Sequence, residues 1–519
     1  MDPDRPFATA LAIDGDRIVA VGSDAEIRAL CDASTQLLAG RGWSVTPGLT
    51  DGHQHLLWGA ELGQGIDFGG AADLGQVQAM LAAAAAGLDQ DAWVLGYGLE
   101  YPLLGAGFEH RMFDDAAAGR PVLVHSFDLH TAYASAEALR RAGITGPRSF
   151  ADTSSIVCDE TGRPTGELRE RAAVTLVLDA QPELTPEQKR ARYTGAIAKQ
   201  NSVGITAIHQ MDGDPETIAT FAELEQAGLL SLHVAIHSVL TPASDPDYLQ
   251  ELLRLPRPRG RRWRADGVKF WIDGVVETGT AWLETPDTDG GGTVSMWPEA
   301  GHYARTARDF HDAGYRIATH AIGDRAAREV LDVYGTLPGS AGRHRIEHLE
   351  TAPDSTIARF QPQGVVASIQ PIHLKFLEPD LSDPWSQRLG HSHCAHAMRS
   401  GDLSAAGALV VLGSDWPVAP YDPRLGMYAA RLRRAPGAKG DEAIGASRPL
   451  TGEQALAGYT VNAARACGEA DLAGMLRPGH RADVVVWAAD PVACPAQDVV
   501  ELPVLMTIVD GQIVHRTTG

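Results

Sequence analysis

The fold is organised around one stretch near the N-terminus, residues 45–55, with the sequence Val-Thr-Pro-Gly-Leu-Thr-Asp-Gly-His-Gln-His. A short apolar run ends at Pro47-Gly48, and His53 and His55 follow. Side chains two residues apart on an extended segment point to the same side, so the two imidazoles can reach one point. That arrangement suits a divalent metal. The pair could also arise by chance in a chain with 19 histidines, so its meaning depends on the polar residues further along.

The middle of the chain alternates short apolar runs with stretches of helix-forming composition. The candidate strands are Ser44–Leu49, Gly204–Gln210, Leu232–Leu240, Gly267–Asp273, Tyr315–His320, His344–His348, Val365–Gln370 and Leu409–Ser414. Eight strands separated by helices predict a (β/α)8 barrel, which we place at residues 46–474. The gap between the first two strands is too long for one helix. We therefore expect an inserted lobe at residues 67–196.

Both chain ends carry strand signals. Asp14-Gly15 and Asp510-Gly511 are two-residue turn signals between apolar runs, which is typical of hairpins. We expect residues 1–45 and 475–519 to form one small β-sandwich domain. The predicted fold class is a distorted (β/α)8 TIM barrel with this sandwich and an insertion after barrel strand 1.

Composition narrows the range of partners and compartments. The chain has 519 residues, 44% of them apolar, and a formal charge of −22, which argues against nucleic acid or an anionic membrane as a partner. Five scattered cysteines without a C-x-x-C pair favour a reducing cytoplasm. No secretory signal and no apolar run of membrane-spanning length are visible. We expect a cytoplasmic protein that binds a small-molecule substrate.

Potential metal ligands stand in or just after five of the predicted strands. Barrels of this type carry functional residues where their strands end. Strands one, four, five, six and eight supply His53, His55, Lys269, His320, His348 and Asp415. This set is typical of a hydrolase with one or two metal ions.

Five motifs in this order give the chain a resemblance to a known family. They are Pro-Gly-Leu-Thr-Asp-Gly-His-Gln-His at 47–55, Gly-Val-Lys-Phe-Trp-Ile-Asp-Gly at 267–274, Thr-His-Ala-Ile-Gly-Asp-Arg-Ala at 319–326, Arg-Ile-Glu-His at 345–348 and Gly-Ser-Asp-Trp-Pro-Val at 413–418. The chain resembles the metal-dependent amidohydrolase superfamily, in the branch that includes N-substituted formamide deformylases. Relatives usually have one more strand before the equivalent of Asp2-Pro3. If that strand is missing, a second chain could pair with the free edge, and a homodimer is one expected assembly.

The resemblance implies a role for each ligand. His53, His55 and Asp415 would hold a first divalent metal, expected to be Zn²⁺, and His320 and His348 a second. Lys269, carrying carbon dioxide as a carbamate, would bridge the two metals. An ion pair of Lys269 with Asp266 or Asp273 is the alternative. Asp415 would also act in catalysis, because it would take a proton from the attacking water and deliver it to the leaving nitrogen.

Four further residues are candidates for substrate contact, each with a structural alternative. His130 lies in the insertion, His209 ends strand two, His373 follows strand seven, and Trp416 follows Asp415. Each could instead serve packing. The histidine-rich run His391–His396 could be a second metal site, but without a strand beside it we expect a loop over the barrel mouth.

The expected reaction is hydrolysis of a non-peptide C–N bond, an amide or N-formyl group, in a small organic molecule. Deamination of a cyclic C=N substrate is an alternative on the same ligands. Such deaminases commonly use one metal and no bridging lysine, so Lys269 favours the amide. A catalytically silent binding protein is a third alternative, and the intact ligand set disfavours it.

Overall fold

The structure is a computed structural model that describes residues 2, 4–38, 40, 42–105, 107–254, 257–299, 301–438 and 440–517. It begins with a hairpin of β1 (Ala10–Asp14) and β2 (Arg17–Gly22), followed by β3 (Ser44–Pro47). Gly15, with φ of +56°, supplies the left-handed turn residue that the Asp-Gly signal predicted. Helix α1 (Asp24–Arg28) starts at a capping box of Ser23 and Glu26.

The first predicted strand, Ser44–Leu49, is two strands in two different sheets. Strand β3 ends at Pro47, and β4 (Leu49–Gln54) then enters the barrel. Gly48 lies between them, and a Cβ atom there would stand 2.2 Å from Thr206 Oγ1, so only glycine fits. The prediction placed His53 after the strand. Because β4 starts five residues later than expected, His53 lies inside it.

The lobe that follows β4 contains a six-stranded mixed sheet. Its strands in spatial order are β5 (Ile66–Asp67), β6 (Val94–Leu99), β7 (Val122–Ser126), β8 (Thr131–Ala134), β10 (Pro164–Arg169) and β9 (Ser155–Cys158). Helix α2 (Leu56–Leu62) precedes β5. The helices of the lobe are α3 (Leu74–Ala86), α4 (Arg111–Asp114), α5 (Ala136–Arg141) and α6 (Glu170–Leu178), with a 3-10 turn at Tyr101–Leu104. The strands are two to six residues long, and two of them, β6 and β10, contain glycine or proline, which weakens their sequence signal.

Eight parallel strands form the barrel, which confirms the predicted fold class. After β4 come β11 (Ile205–Gly213), β12 (His233–Leu240), β13 (Trp263–Trp271), β14 (Arg316–Ala321), β15 (Arg345–His348), β16 (Val366–Ile369) and β17 (Leu409–Leu412). The helices are α7 (Pro186–Ser202), α8 (Pro215–Gln226), α9 (Pro246–Arg254), α10 (His302–Asp312), α11 (Asp324–Tyr334), α12 (Asp354–Gln363), α13 (Pro384–Leu389), α14 (His391–Cys394), α15 (Ser400–Ala405), α16 (Pro423–Leu432), α17 (Gly452–Gly458) and α18 (Val461–Ala466), with a 3-10 segment at Pro371–Phe376. Buried residues such as Phe270, Phe310 and Phe360 fill the layer between strands and helices.

The barrel closes between β17 and β4 without a regular strand ladder. The backbone N–H of Asp415 donates to His53 O at 2.7 Å, and that of His55 donates to Trp416 O at 2.8 Å. Beside them, Ser414 Oγ donates to the buried carboxylate of Asp51 at 2.5 Å. The closure therefore joins the two segments that carry three of the predicted metal ligands.

The C-terminal segment forms a four-stranded sheet with β3. Its order is β20 (Gln512–Arg516), β19 (Val504–Val509), β18 (Val484–Trp487) and β3, with a 3-10 segment at Ala496–Glu501. The N-terminal hairpin is a separate sheet, joined to this region by a bridge between Arg17 and Arg481. Ile13 packs against the apolar face of the four-stranded sheet, so the two sheets stack as a sandwich. The domain bounds given above remain predictions.

None of the described helices is both long and apolar enough to cross a membrane.

Candidate metal centre

The six predicted ligands line one cavity of about 370 Å³ at the C-terminal ends of the barrel strands. They are His53 in β4, His55 just after it, Lys269 in β13, His320 in β14, His348 in β15 and Asp415 beyond β17. Parallel strands end at one rim, so residues far apart in sequence meet there.

His53, His55 and Asp415 form the tightest part of the group. The Nε2 atoms of both histidines approach the same oxygen, Asp415 Oδ1, at 3.2 and 3.1 Å. The two imidazoles therefore point to the same side, as the sequence predicted. Asp415 has φ of +62°, a left-handed conformation that is costly for a residue with a side chain and that turns its carboxylate towards the histidines.

His348 and His320 continue the group across the cavity. The ring centres of His53 and His348 are 4.8 Å apart, and those of His348 and His320 are 4.4 Å apart. One ligand atom each from His53, His348 and Asp415 lie within 4.8 Å of one another. His320 directs Nε2 to the carbonyl of Gly274 at 3.1 Å, which leaves its Nδ1 as the ligand atom. His348 also has a positive φ, +74°.

Lys269 is fully buried, and its Nζ has no hydrogen-bond partner among the described residues. Among the described residues, Lys269 forms neither of the alternative ion pairs, with Asp266 or with Asp273. Asp266 contacts Arg264 and Arg316, and Asp273 accepts backbone N–H groups, among them that of Gly323 at 2.8 Å. Burial lowers the pKa of Lys269 to about 8, so the neutral amine is accessible near neutral pH.

The charges of these groups fit a divalent cation. Burial lowers the pKa of His320 and His348 well below the usual value, which keeps their lone pairs free to bind metal. Burial also acts to lower the pKa of His55, but Asp212 and Asp415 raise it to about 9, so the site favours positive charge there. Burial acts to raise the pKa of Asp415, yet His53 and the other imidazoles hold it well below its usual range. Two neutral imidazoles, an ionised carboxylate and an unpartnered buried amine suit a metal centre.

A second layer of residues orients the ligands, and sequence reasoning missed it. Glu347 accepts from His53 Nδ1 at 2.6 Å, which directs Nε2 into the cavity. Arg345 contacts both oxygens of Glu347, at 2.5 and 2.9 Å. Glu347 belongs to the Arg-Ile-Glu-His motif, so this motif could have indicated its role. Asp212, 3.2 Å from His55 Nδ1, lies near the end of the second barrel strand, β11, and could have been found by the strand-end rule.

Comparison with known proteins agrees with this geometry. The sequence model of the amidohydrolase family matches residues 39–515. The chain belongs to the amidohydrolase family. It is a metal-dependent hydrolase that acts on carbon–nitrogen bonds other than peptide bonds, as its sequence predicted.

Relatives cover almost all of this amidohydrolase. It is 28% identical to Protein LONG AFTER FAR-RED 3 of Arabidopsis thaliana, over 98% of this chain and 89% of the relative. It is 27% identical to N-substituted formamide deformylase of Arthrobacter pascens, over 100% of this chain and 97% of the relative. Among solved structures, an uncharacterized metal-dependent hydrolase from Pyrococcus horikoshii OT3 shares the fold with a TM-score of 0.72 and 24% identity, over 94% of this chain and 95% of that one.

Two of the four candidate substrate contacts line the cavity of the amidohydrolase. His130 lies on the lobe side, with Nδ1 2.8 Å from Glu170 Oε2 and its ring 5.5 Å from that of His320. His373 lies across from it, with Nε2 3.8 Å from Asp415 Oδ2. The lobe therefore supplies part of the cavity wall.

The other two candidates take the structural alternative. His209 is buried beneath the centre, where its Nδ1 contacts Arg345 at 2.6 Å, so it supports the second layer and does not line the cavity. Trp416 packs on Tyr421, with ring centres 5.3 Å apart, and also lies outside the cavity lining.

The histidine-rich run forms a short helix, α14, and not the expected loop. His393 Nε2 contacts Thr285 Oγ1 at 2.8 Å, and Cys394 is buried in an apolar cluster. None of the three histidines of the run lines the metal cavity.

Proposed function

We propose that this amidohydrolase cleaves an amide or N-formyl group of a small organic molecule at a two-zinc centre bridged by a carbamate on Lys269. The observation that carries the proposal is the buried Nζ of Lys269, which has no partner among the described residues and faces a cavity lined by six imidazoles and Asp415. A neutral lysine amine adds carbon dioxide and releases one proton. The resulting carbamate offers two oxygens, which suits a bridging ligand.

The ligands divide between two metals in this proposal. His53, His55 and Asp415 would hold one, His320 and His348 the other, and the Lys269 carbamate would join them. When bound, a divalent metal supplies Lewis acidity for the carbonyl and makes water a better nucleophile at neutral pH. The second layer of Glu347 and Arg345 would keep His53 in the correct tautomer.

Asp415 is the proposed general base and acid. Its carboxylate is ionised, because the neighbouring imidazoles stabilise the negative charge. It can take a proton from the attacking water and return it to the nitrogen of the leaving amine. His130 is the proposed contact to the substrate carbonyl. Burial acts to lower its pKa, but Glu170 raises it to about 9, so His130 is a cationic donor at neutral pH.

The lining of the cavity supports a small organic substrate that is not an anion. Aromatic side chains from both lobe and barrel contribute apolar surface: Trp58, Phe127, Trp271 and Phe376. Ten carboxylates but only three lysine or arginine side chains line the same cavity. Two divalent ions would still leave this wall acidic, so neutral or cationic substrates are favoured over carboxylates.

One relative supports the choice of an N-formyl substrate. N-substituted formamide deformylase matches the chain end to end. We expect activity on N-alkyl or N-benzyl formamides, with formate and an amine as products.

The test combines metal analysis with turnover of two substrate panels. Purified enzyme is assayed on N-substituted formamides and acetamides, and on cyclic C=N compounds whose deamination releases ammonia. Formate or acetate release with two zinc ions per chain is the expected result. Ammonia release from the second panel alone would establish the deaminase alternative. Bound metal with neither activity would support a binding protein.

A further inference from the structure

The N-terminal ends of the barrel strands carry a second cavity, far from the chemistry of the first. It has a volume of about 530 Å³, and one carboxylate, Asp266, lines it. Five arginines line it as well: Arg257, Arg259, Arg264, Arg316 and Arg343. We call it the arginine cavity. Arg264 and Arg316 lie at the starts of β13 and β14, at the end of the barrel opposite to the metal ligands.

The carboxylates in reach do not neutralise these arginines. Asp266 is shared by Arg264, at 3.1 Å, and Arg316, at 3.9 Å. Arg264 also pairs with Glu469. Arg259 has no ion pair within the part of the chain that the structure describes. The cavity therefore holds an excess of positive charge in a chain whose formal charge is −22.

Two of the arginines contact backbone carbonyls at the end of α10. Arg343 Nη2 donates to the carbonyls of His311 and Tyr315, both at 3.0 Å. Arg257 donates to the carbonyl of Gly314, where a Cβ atom would stand 2.7 Å from its Nη1. These contacts stabilise the helix end, where carbonyls carry partial negative charge. The guanidinium groups of Arg343 and Arg257 have five N–H groups each, so most of their donors remain for a ligand.

Crowding of like charge is visible at Arg343. Burial and the positive charges of Arg316 and Arg257 lower the pKa of its guanidinium, against the smaller opposing effect of the negative charge of Asp312. Like charges held together in a half-buried cavity are destabilising unless a counter-charge enters. An oxyanion would supply that charge, and its planar O–P–O or O–C–O edges match the guanidinium fork.

We propose that the arginine cavity binds a small oxyanion with two or more negative charges, such as a phosphorylated or polycarboxylic metabolite. The site is separate from the catalytic cavity and does not depend on the proposed reaction. The positive charge of the cavity, and not a sequence motif, indicates the class of ligand. Arg257 and Arg259 are exposed at its mouth and would be the entry contacts.

The test is calorimetric titration of the metal-loaded enzyme with pyrophosphate and with citrate, at an ionic strength held constant with sodium chloride. The wild type is compared with R257Q and R259Q. The matched control is R254Q, which removes an exposed arginine of the same segment that does not line the cavity. Any anion bound at the metal centre is common to all four proteins and cancels in the comparison.

We expect R257Q and R259Q each to weaken binding of at least one of the two anions about tenfold, because a charged hydrogen bond is lost. R254Q should change it less than about twofold. A preference for pyrophosphate or citrate would distinguish the phosphate and carboxylate sources. Equal affinities in the wild type, R257Q and R259Q would overturn the proposal. So would an equal loss in R254Q, which would indicate diffuse attraction, or no binding of either anion above chloride.

Discussion

Asp51 and Ser414 join the first and last strands of the barrel through a hydrogen bond of 2.5 Å between Ser414 Oγ and Asp51 Oδ2. The other carboxylate oxygen, Oδ1, accepts the backbone N–H groups of Ser414 at 3.0 Å and His53 at 3.1 Å. Asp51 is fully buried, and burial raises its pKa to about 7. This contact fixes the relative position of His53, two residues after Asp51, and Asp415, the residue after Ser414. The same contacts therefore close the barrel and position two of the candidate metal ligands.

Ser414→Ala tests that coupling. The change removes one donor to a buried carboxylate, which costs about 1–3 kcal/mol. We expect a lower free energy of unfolding in urea and weaker metal binding. Ser392→Ala, at an exposed position, is the control and should be neutral. Unchanged stability and metal affinity in Ser414→Ala would show that the backbone contacts suffice for closure.

Asp415→Asn should retain most of its bound metal and lose catalysis. The amide oxygen can still occupy a ligand position, but the amide cannot take up or deliver a proton. We expect kcat to fall by a factor of about 10² to 10⁴. Metal content by mass spectrometry and formate release are measured on the same sample. Wild-type turnover in a metal-replete variant would refute the role of Asp415.

Lys269→Ala should abolish the proposed bridge. We expect loss of activity and of part of the bound metal, because the variant lacks the anion that joins the two ions. Added acetate or propionate should restore part of the activity by filling the space left by the carbamate. Lys375→Ala, which removes a lysine outside the centre, serves as the control. Two metals per chain with near-normal activity in Lys269→Ala would contradict the bridge.

Glu469→Gln should reduce stability in a pH-dependent way. Burial acts to raise the pKa of Glu469, but Arg264 and Arg481 lower it from 4.5 to about 2. A carboxyl group with a lowered pKa in the folded state stabilises it above the unfolded pKa, and this is lost as pH falls through the folded pKa. The contribution at neutral pH is about 1–3 kcal/mol.

The measurement is the free energy of unfolding at several values between pH 7 and pH 2.5. The wild type should lose stability relative to Glu469→Gln as pH falls below about 4.5, so the two proteins converge in acid. Glu299→Gln, in an exposed ion pair, should run parallel to the wild type. A constant difference between wild type and Glu469→Gln across this range would show that the effect is packing and not charge.

The sequence by itself determined the order of the barrel strands and the set of candidate ligands. Alternation of apolar runs and helices predicted the barrel, because each parallel strand needs a crossover helix to return to the same sheet. The strand-end rule then selected His53, His55, Lys269, His320, His348 and Asp415. These features are local in sequence, and the physical rules that connect them to structure act over a few residues.

Only the tertiary structure decided how distant residues act together. Glu347 stands one residue from His348, yet it orients His53, nearly three hundred positions away along the chain. Local sequence could not separate His373, which lines the cavity, from His209, which lies beneath it. Nor could it divide residues 44–54 between two sheets, since that break depends on Thr206 packing against Gly48. Such contacts depend on the register of strands that meet only when the barrel closes, and a one-residue shift would exchange the inner and outer faces.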